Sequence, residues 1–364
     1  MINNLSIENF KAFKNISLNL KPLNLLVGLN GMGKSTVIQS LLMLRQSDRI
    51  DRGEVVLNGD LVQIGKGADA IYQFAHNDMI TICVDFDGNK YEWQIINAAD
   101  SDILESVQHH SGLVLKEISL FNNNFQYLNA EHIAPQVDYP VSSALVVKNH
   151  QIGVDGRFVV HYLNAFGQEL VKNEKLIHPK AKSKSLIHQV DAWLGEITPG
   201  VKLNTVNVPG TDSVILNYQF ETKRSYTNAF RPKNVGFGLS YVLPVIVALL
   251  TMEDDKLLIL ENPESHIHPR GQAELGRLIA LAVCSGGQIV IETHSDHIIN
   301  GIRVAVKDRN IEKDKIGLFY FDRKEDGDEL YSVYRSIQID KNGELSDYPQ
   351  NFMDEWSNQL LKLL

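Results

Sequence analysis

The feature that most constrains the fold is a short glycine-rich segment, Gly28–Ser35, which reads GLNGMGKS. It matches the pattern G-x-x-x-x-G-K-[ST], and an apolar run at Leu23–Val27 precedes it. The residues that follow, Ser35–Arg45, place apolar side chains at helical spacing. A buried strand, a glycine turn and a helix in this order predict a loop that wraps its main-chain amides around phosphate groups.

This loop predicts binding of ATP together with Mg²⁺. Lys34 is expected to reach the β- and γ-phosphate oxygens, and the Ser35 hydroxyl is expected to ligate Mg²⁺. The alternative is a glycine turn with an incidental lysine, and the flanking strand and helix argue against it. The predicted nucleotide-contacting residues of the loop are Asn30, Gly31, Met32, Gly33, Lys34, Ser35 and Thr36.

A second apolar run, Leu257–Leu260, ends in the acidic segment Glu261–Glu264. In P-loop proteins, a carboxylate at the end of such a strand helps to hold Mg²⁺, directly or through a water. We therefore assign Glu261 to the metal site, with Ser35. An apolar run that ends in glutamate is common, so the assignment depends on the phosphate loop found earlier in the chain.

Three stretches carry a family resemblance. Residues 257–269 read LLILENPESHIHP, residues 291–296 read IETHSD, and residues 7–13 read IENFKAF. Together they resemble the ABC-type ATPases of the SMC, RecF and OLD group. Within it the chain is most similar to stand-alone prokaryotic ATPases that carry NVGFGLS, here residues 234–240. The resemblance covers about residues 1–65 and 230–325, and it implies an α/β fold, a P-loop NTPase of the ABC ATPase type.

The resemblance also implies catalytic roles. The residue after the metal-linked acid is usually the glutamate that activates water, but this chain has Asn262. Because an amide cannot take a proton, either Glu264 or Glu292 serves as the base, or Asn262 only orients water and hydrolysis is slow. His294 resembles the histidine that hydrogen-bonds the γ-phosphate. Lys34, Asn262, Glu264 and His294 are thus the predicted catalytic group.

Further parts of the site follow from the same resemblance. The helix start containing Gly236, Gly238 and Ser240 is expected to close over the γ-phosphate of a partner subunit, the alternative being an ordinary core helix. Gln63 is the predicted third contact to Mg²⁺ or water, ahead of Gln73. A metal cluster of His266, His268 and His294 matches no zinc signature. His266 and Ser265 are instead assigned to the segment that joins subunits.

The chain divides by pattern into three parts. Residues 1–70 and 230–325 are the predicted ATPase core, and residues 71–229 are an inserted β-rich and helical lobe. Within the lobe, strands are expected at Met79–Phe86 and Tyr91–Ile95, and helices at about 156–173 and 185–194. Residues 326–364 form an extension whose amphipathic end is expected to pack on the core rather than dock on a partner; its leucines are Leu360, Leu361, Leu363 and Leu364.

Composition limits the partners and the compartment. The net charge of −9 does not demand nucleic acid, and it does not exclude a basic patch such as residues 171–184, for which a solvated face is the favoured interpretation. The longest apolar run, Val242–Leu250, is about half the length that crosses a bilayer. Cys83 and Cys284 form no zinc or disulfide pattern. We expect a cytoplasmic protein with no membrane partner.

The resemblance implies a homodimer that sandwiches two ATP molecules and acts as a switch. Its ATP cycle is expected to act on a separate effector or nuclease protein, since the segment after the last core strand leaves no room for a nuclease domain. The expected cellular role is DNA repair or anti-phage defence. A dimeric scaffold that binds ATP without hydrolysing it is the alternative. A transporter motor subunit is less favoured, because the helix start at 236–240 and the long lobe differ from that class.

Overall fold

The computed structural model describes residues 1–47, 49–108 and 110–363. The strands are β1 (Ile2–Phe10), β2 (Phe13–Asn19), β3 (Leu23–Gly28), β4 (Glu54–Val56), β5 (Met79–Phe86), β6 (Asn89–Ile96), β7 (Ile103–Ser106), β8 (Phe125–Leu128), β9 (Tyr139–Pro140), β10 (Val201–Asn207), β11 (Ser213–Phe220), β12 (Leu257–Glu261), β13 (Gln288–Glu292), β14 (Ile316–Asp326) and β15 (Glu329–Ile337).

The α-helices are α1 (Lys34–Gln46), α2 (Gly67–Ala70), α3 (Gly112–Leu115), α4 (Val159–Phe166), α5 (Leu186–Ile197), α6 (Phe237–Leu250), α7 (Pro269–Ala282), α8 (Asp296–Lys307) and α9 (Glu355–Leu363). The chain forms two compact units. Unit 1 comprises Met1–Phe125, Asp314–Asp340 and Glu344–Leu364, and unit 2 comprises Gln126–Lys313 and Lys341–Gly343. The predicted division into core, lobe and extension follows sequence motifs rather than contacts, and it stays a prediction.

Unit 1 contains an antiparallel sheet with the strand order β2-β1-β5-β6-β7-β4. The β5–β6 hairpin closes with Phe86 opposite Asn89, and both turn residues, Asp87 and Gly88, have positive φ angles of 49° and 86°. Two positive φ values in a two-residue loop match the twist of the flanking strands. Burial alternates along β5, as expected for a sheet with one face in the core.

The phosphate-loop strand lies in a second sheet region of unit 1. β3 pairs in parallel with β14, and β14 pairs antiparallel with β15. β3 is buried from Leu23 to Val27, and the register ends with Gly28 beside Phe321. A strand buried on both faces is expected to be largely apolar, and the run before the loop is apolar except for the buried Asn24.

Unit 2 contains the acidic strand ends. β12 and β13 pair in parallel, in the strand order β13-β12-β8. α6 is apolar on nearly all sides and buried from Leu239 onward except at Tyr241, so it is a core helix of this unit. A separate antiparallel sheet has the order β10-β11-β9.

Two sequence expectations need correction. The helix expected over about 156–173 is only α4, Val159–Phe166, because Leu170 pairs with Ser185 in an isolated bridge and draws the chain out of helix. In the extension, Phe352 is buried, but Trp356, Leu360, Leu361 and Leu363 of α9 are exposed. The amphipathic end therefore does not pack as expected, and Leu364 lies outside the described residues.

Candidate functional site

The phosphate loop of unit 1 depends on three glycines in the left-handed region. Gly28, Gly31 and Gly33 have φ angles of 132°, 77° and 95°, and Gly33 is the residue from which α1 starts. A side chain at these positions is strained, so glycine is required by conformation. Successive amides in such a loop point inward and form a concave site for anions.

Neighbouring strands also leave the loop no room for side chains. A Cβ on Gly28 would lie 2.4 Å from the main-chain oxygen of Phe321 in β14. A Cβ on Gly33 would lie 2.9 Å from the Ser332 side chain in β15. In addition, the Arg323 guanidinium donates a hydrogen bond of 2.7 Å to the Gly31 carbonyl oxygen. These contacts brace the loop from one side.

Lys34 occupies the centre of the loop. Its side chain is only 3% exposed, and its Nζ donates to the carbonyl oxygens of Gly28 at 3.0 Å and Leu29 at 2.8 Å. The ammonium group is therefore held inside the turn, beside the amides at the start of α1. Ser35 is exposed at the same helix start, whereas Thr36 is buried. Asn30 and Gly31 are exposed, and Met32 is half-buried.

Two carboxylates lie side by side at the carboxyl ends of the unit 2 strands. Glu261 of β12 and Glu292 of β13 are partners in the parallel register. Burial raises the pKa of Glu261 to about 7, the charge of Glu292 adds to this increase, and a hydrogen bond from the Tyr127 hydroxyl opposes it. Two acids this close favour sharing a proton or binding a cation.

The turn after β12 is held in an uncommon conformation. Asn262 has φ 47°, its N–H donates to the Glu292 carbonyl oxygen at 2.9 Å, and its own carbonyl accepts from the Ser265 hydroxyl at 2.9 Å. Within the described part of the chain, the buried Oδ1 of Asn262 has no hydrogen-bond donor. A buried acceptor without a donor is costly, so this oxygen is suited to receive one.

Glu264 is fixed by the segment that contains His294. The His294 N–H donates to its Oε1 at 2.8 Å, while its buried Oε2 has no partner among the residues described. Burial raises the pKa of Glu264, and the hydrogen bonds from His294 and from the Thr293 hydroxyl oppose that rise. One carboxylate oxygen is thus anchored and the other is available, which is the arrangement a general base needs.

The His294 segment is itself positioned by residues that the sequence did not single out. Ser295 caps α8 by accepting from the Ile298 N–H at 3.1 Å, and its hydroxyl donates to Gln272 at 2.6 Å. Gln272 also donates to the Ile267 carbonyl oxygen at 2.8 Å. Gln272 and Tyr127 were missed because neither belongs to a motif, and only the fold brings them to these partners.

The helix start at α6 has an exposed first turn. Gly236 and Phe237 are exposed, whereas Ser240 is only 4% exposed. A Cβ on Gly238 would lie 2.5 Å from the His266 carbonyl oxygen, so the glycine allows the helix to approach the 262–268 segment closely. The main chain at Gly236 and Phe237 is therefore the accessible part of the helix start that is predicted to contact the partner's γ-phosphate.

Other predicted residues have simpler surroundings. Gln63 is exposed and pairs with Asn58 in an isolated bridge after β4 has ended. His268 caps α7 by accepting from the Arg270 N–H at 3.3 Å, and His266 is exposed, with φ 62°. Across residues 1–47, 49–108 and 110–363, no group of three or more His, Cys, Asp or Glu side chains is placed to hold a metal. No helix among these residues is long and apolar enough to cross a membrane.

Solved structures share the fold. The chain is similar to an Smc head bound to the C-winged helix domain of ScpA, with 12% identity, a TM-score of 0.57, and coverage of 93% of this chain and 98% of that one. It is also similar to an Smc head with an extended coiled coil bound to the C-terminal domain of ScpA derived from Pyrococcus furiosus. There the identity is 10%, the TM-score is 0.53, and the coverage is 100% and 99%. The predicted α/β P-loop NTPase fold is confirmed by these similarities.

No curated protein matches the chain significantly. Residues 311–363 match a family model described as "Protein of unknown function (DUF3696)". Residues 23–300, which include the phosphate loop, both acidic strand ends and the α6 start, match the model described as "AAA domain, putative AbiEii toxin, Type IV TA system". With that match over most of its length and the fold of an SMC head, the chain belongs to this family of AAA-type ATPase domains.

Proposed function

We propose that the protein is an ATP-hydrolysing switch that closes as a homodimer around two Mg-ATP molecules and transmits this cycle to a partner. The proposal is supported by the family and by two pieces of site geometry. Unit 1 carries a glycine cradle with a buried ammonium group, and unit 2 carries adjacent carboxylates and an anchored base. Each supplies chemistry that phosphoryl transfer to water requires.

In this proposal the phosphate loop holds the triphosphate. Residues 30–36 supply main-chain amides, and Lys34 exchanges its two carbonyl partners for phosphate oxygens. Mg²⁺, when bound, neutralises charge on the β- and γ-phosphate oxygens. Ser35 and Glu261 would hold the ion, with Gln63 as a further contact. A serine at a helix start and a carboxylate at a strand end form the oxygen donor set that Mg²⁺ prefers.

The observation that carries the proposed hydrolysis is the state of Glu264. Its Oε1 is fixed by the His294 N–H, while its buried Oε2 lacks a donor among the described residues. An attacking water can donate one hydrogen to this oxygen and the other to Asn262 Oδ1, which also lacks a donor there. Glu264 then takes the proton and Asn262 orients the water. His294, anchored in the same contact, senses the γ-phosphate.

The dimer is proposed from the α6 start. The main-chain amides of exposed Gly236 and half-buried Gly238, at the amino end of a buried helix, can bind the γ-phosphate held by another copy. Ser240 belongs to the same first turn, but its hydroxyl is buried. Because one chain has one phosphate loop and one such helix start, two copies in a head-to-tail arrangement complete two sites.

Phosphate release and calorimetric ATP binding test the proposal. We expect Lys34→Ala to abolish Mg-ATP binding, whereas Glu264→Gln keeps binding and lowers turnover by about 10²-fold or more, because it removes only the proton acceptor. Lys90→Ala, an exposed lysine on β6, is the matched control and should change neither quantity. Wild-type binding by Lys34→Ala would refute the site, and wild-type turnover by Glu264→Gln would refute the base.

A second candidate is an ATP-bound dimeric scaffold that does not turn over, and Asn262 is the observation that favours it. An amide at the position of the usual base orients water without accepting its proton. The variant Asn262→Glu separates the two candidates. If the wild type releases almost no phosphate and Asn262→Glu releases it rapidly, the scaffold is correct. If the wild type is active and depends on Glu264, the hydrolysing switch is correct.

The cellular role is proposed from the family alone. DNA repair or anti-phage defence, with a separate effector or nuclease protein, fits an ATPase of this type. Nucleic acid is not required by the charge of the chain. Affinity purification of the full chain from its own host, with and without ATP, identifies partners whose binding depends on the nucleotide state.

A further inference from the structure

An open apolar groove lies at the start of α6 in unit 2. Its volume is about 540 Å³, and most of its surface is apolar. A groove of this size is large enough for several side chains of a ligand or partner. The lining residues that matter most are Ile197, Phe220, Phe230, Val235, Leu239 and Ile267. Phe230 is 37% exposed, so an aromatic anchor at the groove is accessible to another molecule.

Exposed basic residues lie next to the lining of this groove in the sequence. Arg231 and Lys233 are exposed, and they lie in sequence between Phe230 and Asn234, both of which line the groove. Arg270, also exposed, follows the lining residue His268 by two positions. Two acidic residues also lie beside the lining: Glu221 follows Phe220, and Glu196, which pairs with Lys180, precedes Ile197. The surface therefore combines an apolar floor with an excess of positive charge along its edge.

The C-terminal helix of unit 1 presents the opposite kind of surface. In α9, Trp356, Leu360 and Leu363 recur at i, i+4 and i+7, so they form one stripe on the helix. Their exposed fractions are 77%, 42% and 83%, and no described residue of α9 is buried. A contiguous apolar stripe of this kind on a surface marks an interaction site.

The helix is attached to unit 1 by ordered contacts just before it begins. Phe352 is 4% exposed and packs against Tyr320, with ring centroids 5.4 Å apart. The Tyr320 hydroxyl donates to the Gln350 carbonyl oxygen at 2.8 Å. These contacts fix the root of α9 and leave its apolar stripe exposed. A rooted helix loses less entropy on binding than a free tail does.

We propose that α9 of one copy docks in the groove beside α6 of a second copy. The amphipathic helix offers an aromatic and two leucines to the apolar floor, which is the helix-in-groove mode of recognition. Charges match as well: Glu355 is exposed in the first turn of α9, and exposed Arg231 and Lys233 lie beside the lining residues Phe230 and Asn234 in sequence. A single sequence thus carries both complementary surfaces, so a second copy is the occupant.

This contact is heterologous, since it joins two different surfaces. Two copies that exchange α9 helices form a closed dimer with two such contacts, and copies that cannot close form longer chains. The groove lining includes Gly236 and Gly238, so a docked α9 would compete with a partner's γ-phosphate for the start of α6. The α9 contact needs no nucleotide, so it does not rest on the proposed function and the two can fail separately.

Sedimentation velocity of the full chain without nucleotide tests the contact. We expect the wild type to associate reversibly, and Trp356→Ala or Phe230→Ala to weaken association by at least about tenfold, as for a central aromatic anchor. Leu113→Ala is the matched control, because Leu113 is 78% exposed but belongs to α3, outside both surfaces. Circular dichroism and thermal melting confirm that each variant is folded.

Reversing the charges of one acidic and one basic residue gives a second, independent test of the association. Glu355→Lys and Lys233→Glu should each weaken association, and the double variant should recover most of it, because the pair is restored in reverse. Mixing Trp356→Ala with Phe230→Ala protein should also recover part of the association. In that mixture, an intact α9 meets an intact groove on another molecule.

Three outcomes would overturn the proposal. The first is a wild type that stays monomeric without nucleotide at concentrations of tens of micromolar. The second is association that Trp356→Ala and Phe230→Ala leave unchanged. The third is association that both variants weaken but that mixing does not recover. Lys34→Ala protein should associate like the wild type, which separates this contact from any dimer that depends on ATP.

Discussion

The most informative single residue of the candidate site is Glu261. Its carboxylate lies at the end of β12, in register with Glu292 of β13, and burial raises its pKa to about 7. An acid with this pKa changes charge within the physiological range, so its ability to hold a cation depends on pH. The neighbouring carboxylate strengthens the effect, because two negative charges repel until a proton or a metal lies between them.

The raised pKa of Glu261 predicts that the affinity of the site for Mg²⁺ depends on pH. Below pH 7 Glu261 is protonated and protons compete with Mg²⁺, so the affinity for Mg²⁺ with bound ATP should fall by up to about tenfold per pH unit. Above pH 7 the carboxylate is ionised and the affinity should level off. Calorimetric titrations at pH 6, 7 and 8 measure this change. ATP titrates in the same range, so Glu261→Gln is the reference: its pH dependence reports the nucleotide alone. Equal curves for both proteins would rule out a metal role for Glu261.

At the scale of residues, the sequence predicted side chains that lie in motifs and missed those that the fold supplies. Glu261, Asn262 and Glu264 follow an apolar run, so their place at a strand end was predictable. Tyr127, whose hydroxyl reaches Glu261, is more than a hundred residues away along the chain. No local pattern encodes such a contact, because it depends on which strands become neighbours.

At the scale of elements, the start of α6 has one glycine, Gly238, that packing leaves no room to replace, and another, Gly236, that has room for a side chain. A Cβ on Gly238 would lie 2.5 Å from the His266 carbonyl oxygen. A Cβ on Gly236 would meet nothing within 4 Å. The two glycines look alike in the sequence, but only Gly238 is required by the fold. Gly236 is exposed and therefore available for an intermolecular role.

Substitution of these two glycines by alanine should change the free energy of unfolding by very different amounts. Gly238→Ala forces the helix away from the 262–268 segment and should lower the free energy of unfolding by about 2–3 kcal/mol. Gly236→Ala, at φ −59°, should change it by less than about 0.5 kcal/mol. Urea denaturation followed by circular dichroism measures both. Unchanged stability of Gly238→Ala would contradict the close approach of the helix and the turn.

Most element types followed from the sequence, and the helix that is shorter than predicted ends because of a pairing outside its own segment. Strands β3, β5, β6 and β12 and helices α1 and α5 lie where the apolar pattern predicted them. The helix predicted to continue after α4 stops early because Leu170 pairs with Ser185 in an isolated bridge. Long-range pairing of this kind overrides local propensity.

At the scale of the whole molecule, the sequence carries specific motifs only in about residues 1–65 and 230–325. The similarity to Smc heads nevertheless covers 93–100% of the chain, including residues 75–225, where the sequence showed little that was diagnostic. At 10–12% identity the shared feature is the fold. The architecture is retained by the pattern of buried positions, and that pattern tolerates extensive substitution.

The proposed switch makes one prediction about assembly. If Glu264 is the base, Glu264→Gln binds Mg-ATP but cannot complete hydrolysis, so the closed dimer should accumulate with Mg-ATP and dissociate with Mg-ADP. Light scattering coupled to size exclusion measures the mass in each state. The experiment is done in a Trp356→Ala background, which weakens the association through α9.

Controls separate trapping from non-specific association. Glu274→Gln, a change in a half-exposed glutamate that pairs with Arg277 on α7, should not accumulate a dimer, because it leaves the turnover cycle intact. Adding Lys34→Ala to the trapped variant should return it to a monomer, since the γ-phosphate that both copies grip is no longer bound. A Glu264→Gln protein with the same mass in Mg-ATP and Mg-ADP would mean that the γ-phosphate does not hold the two copies together. The amides at Gly236 and Gly238 would then have no role across the dimer.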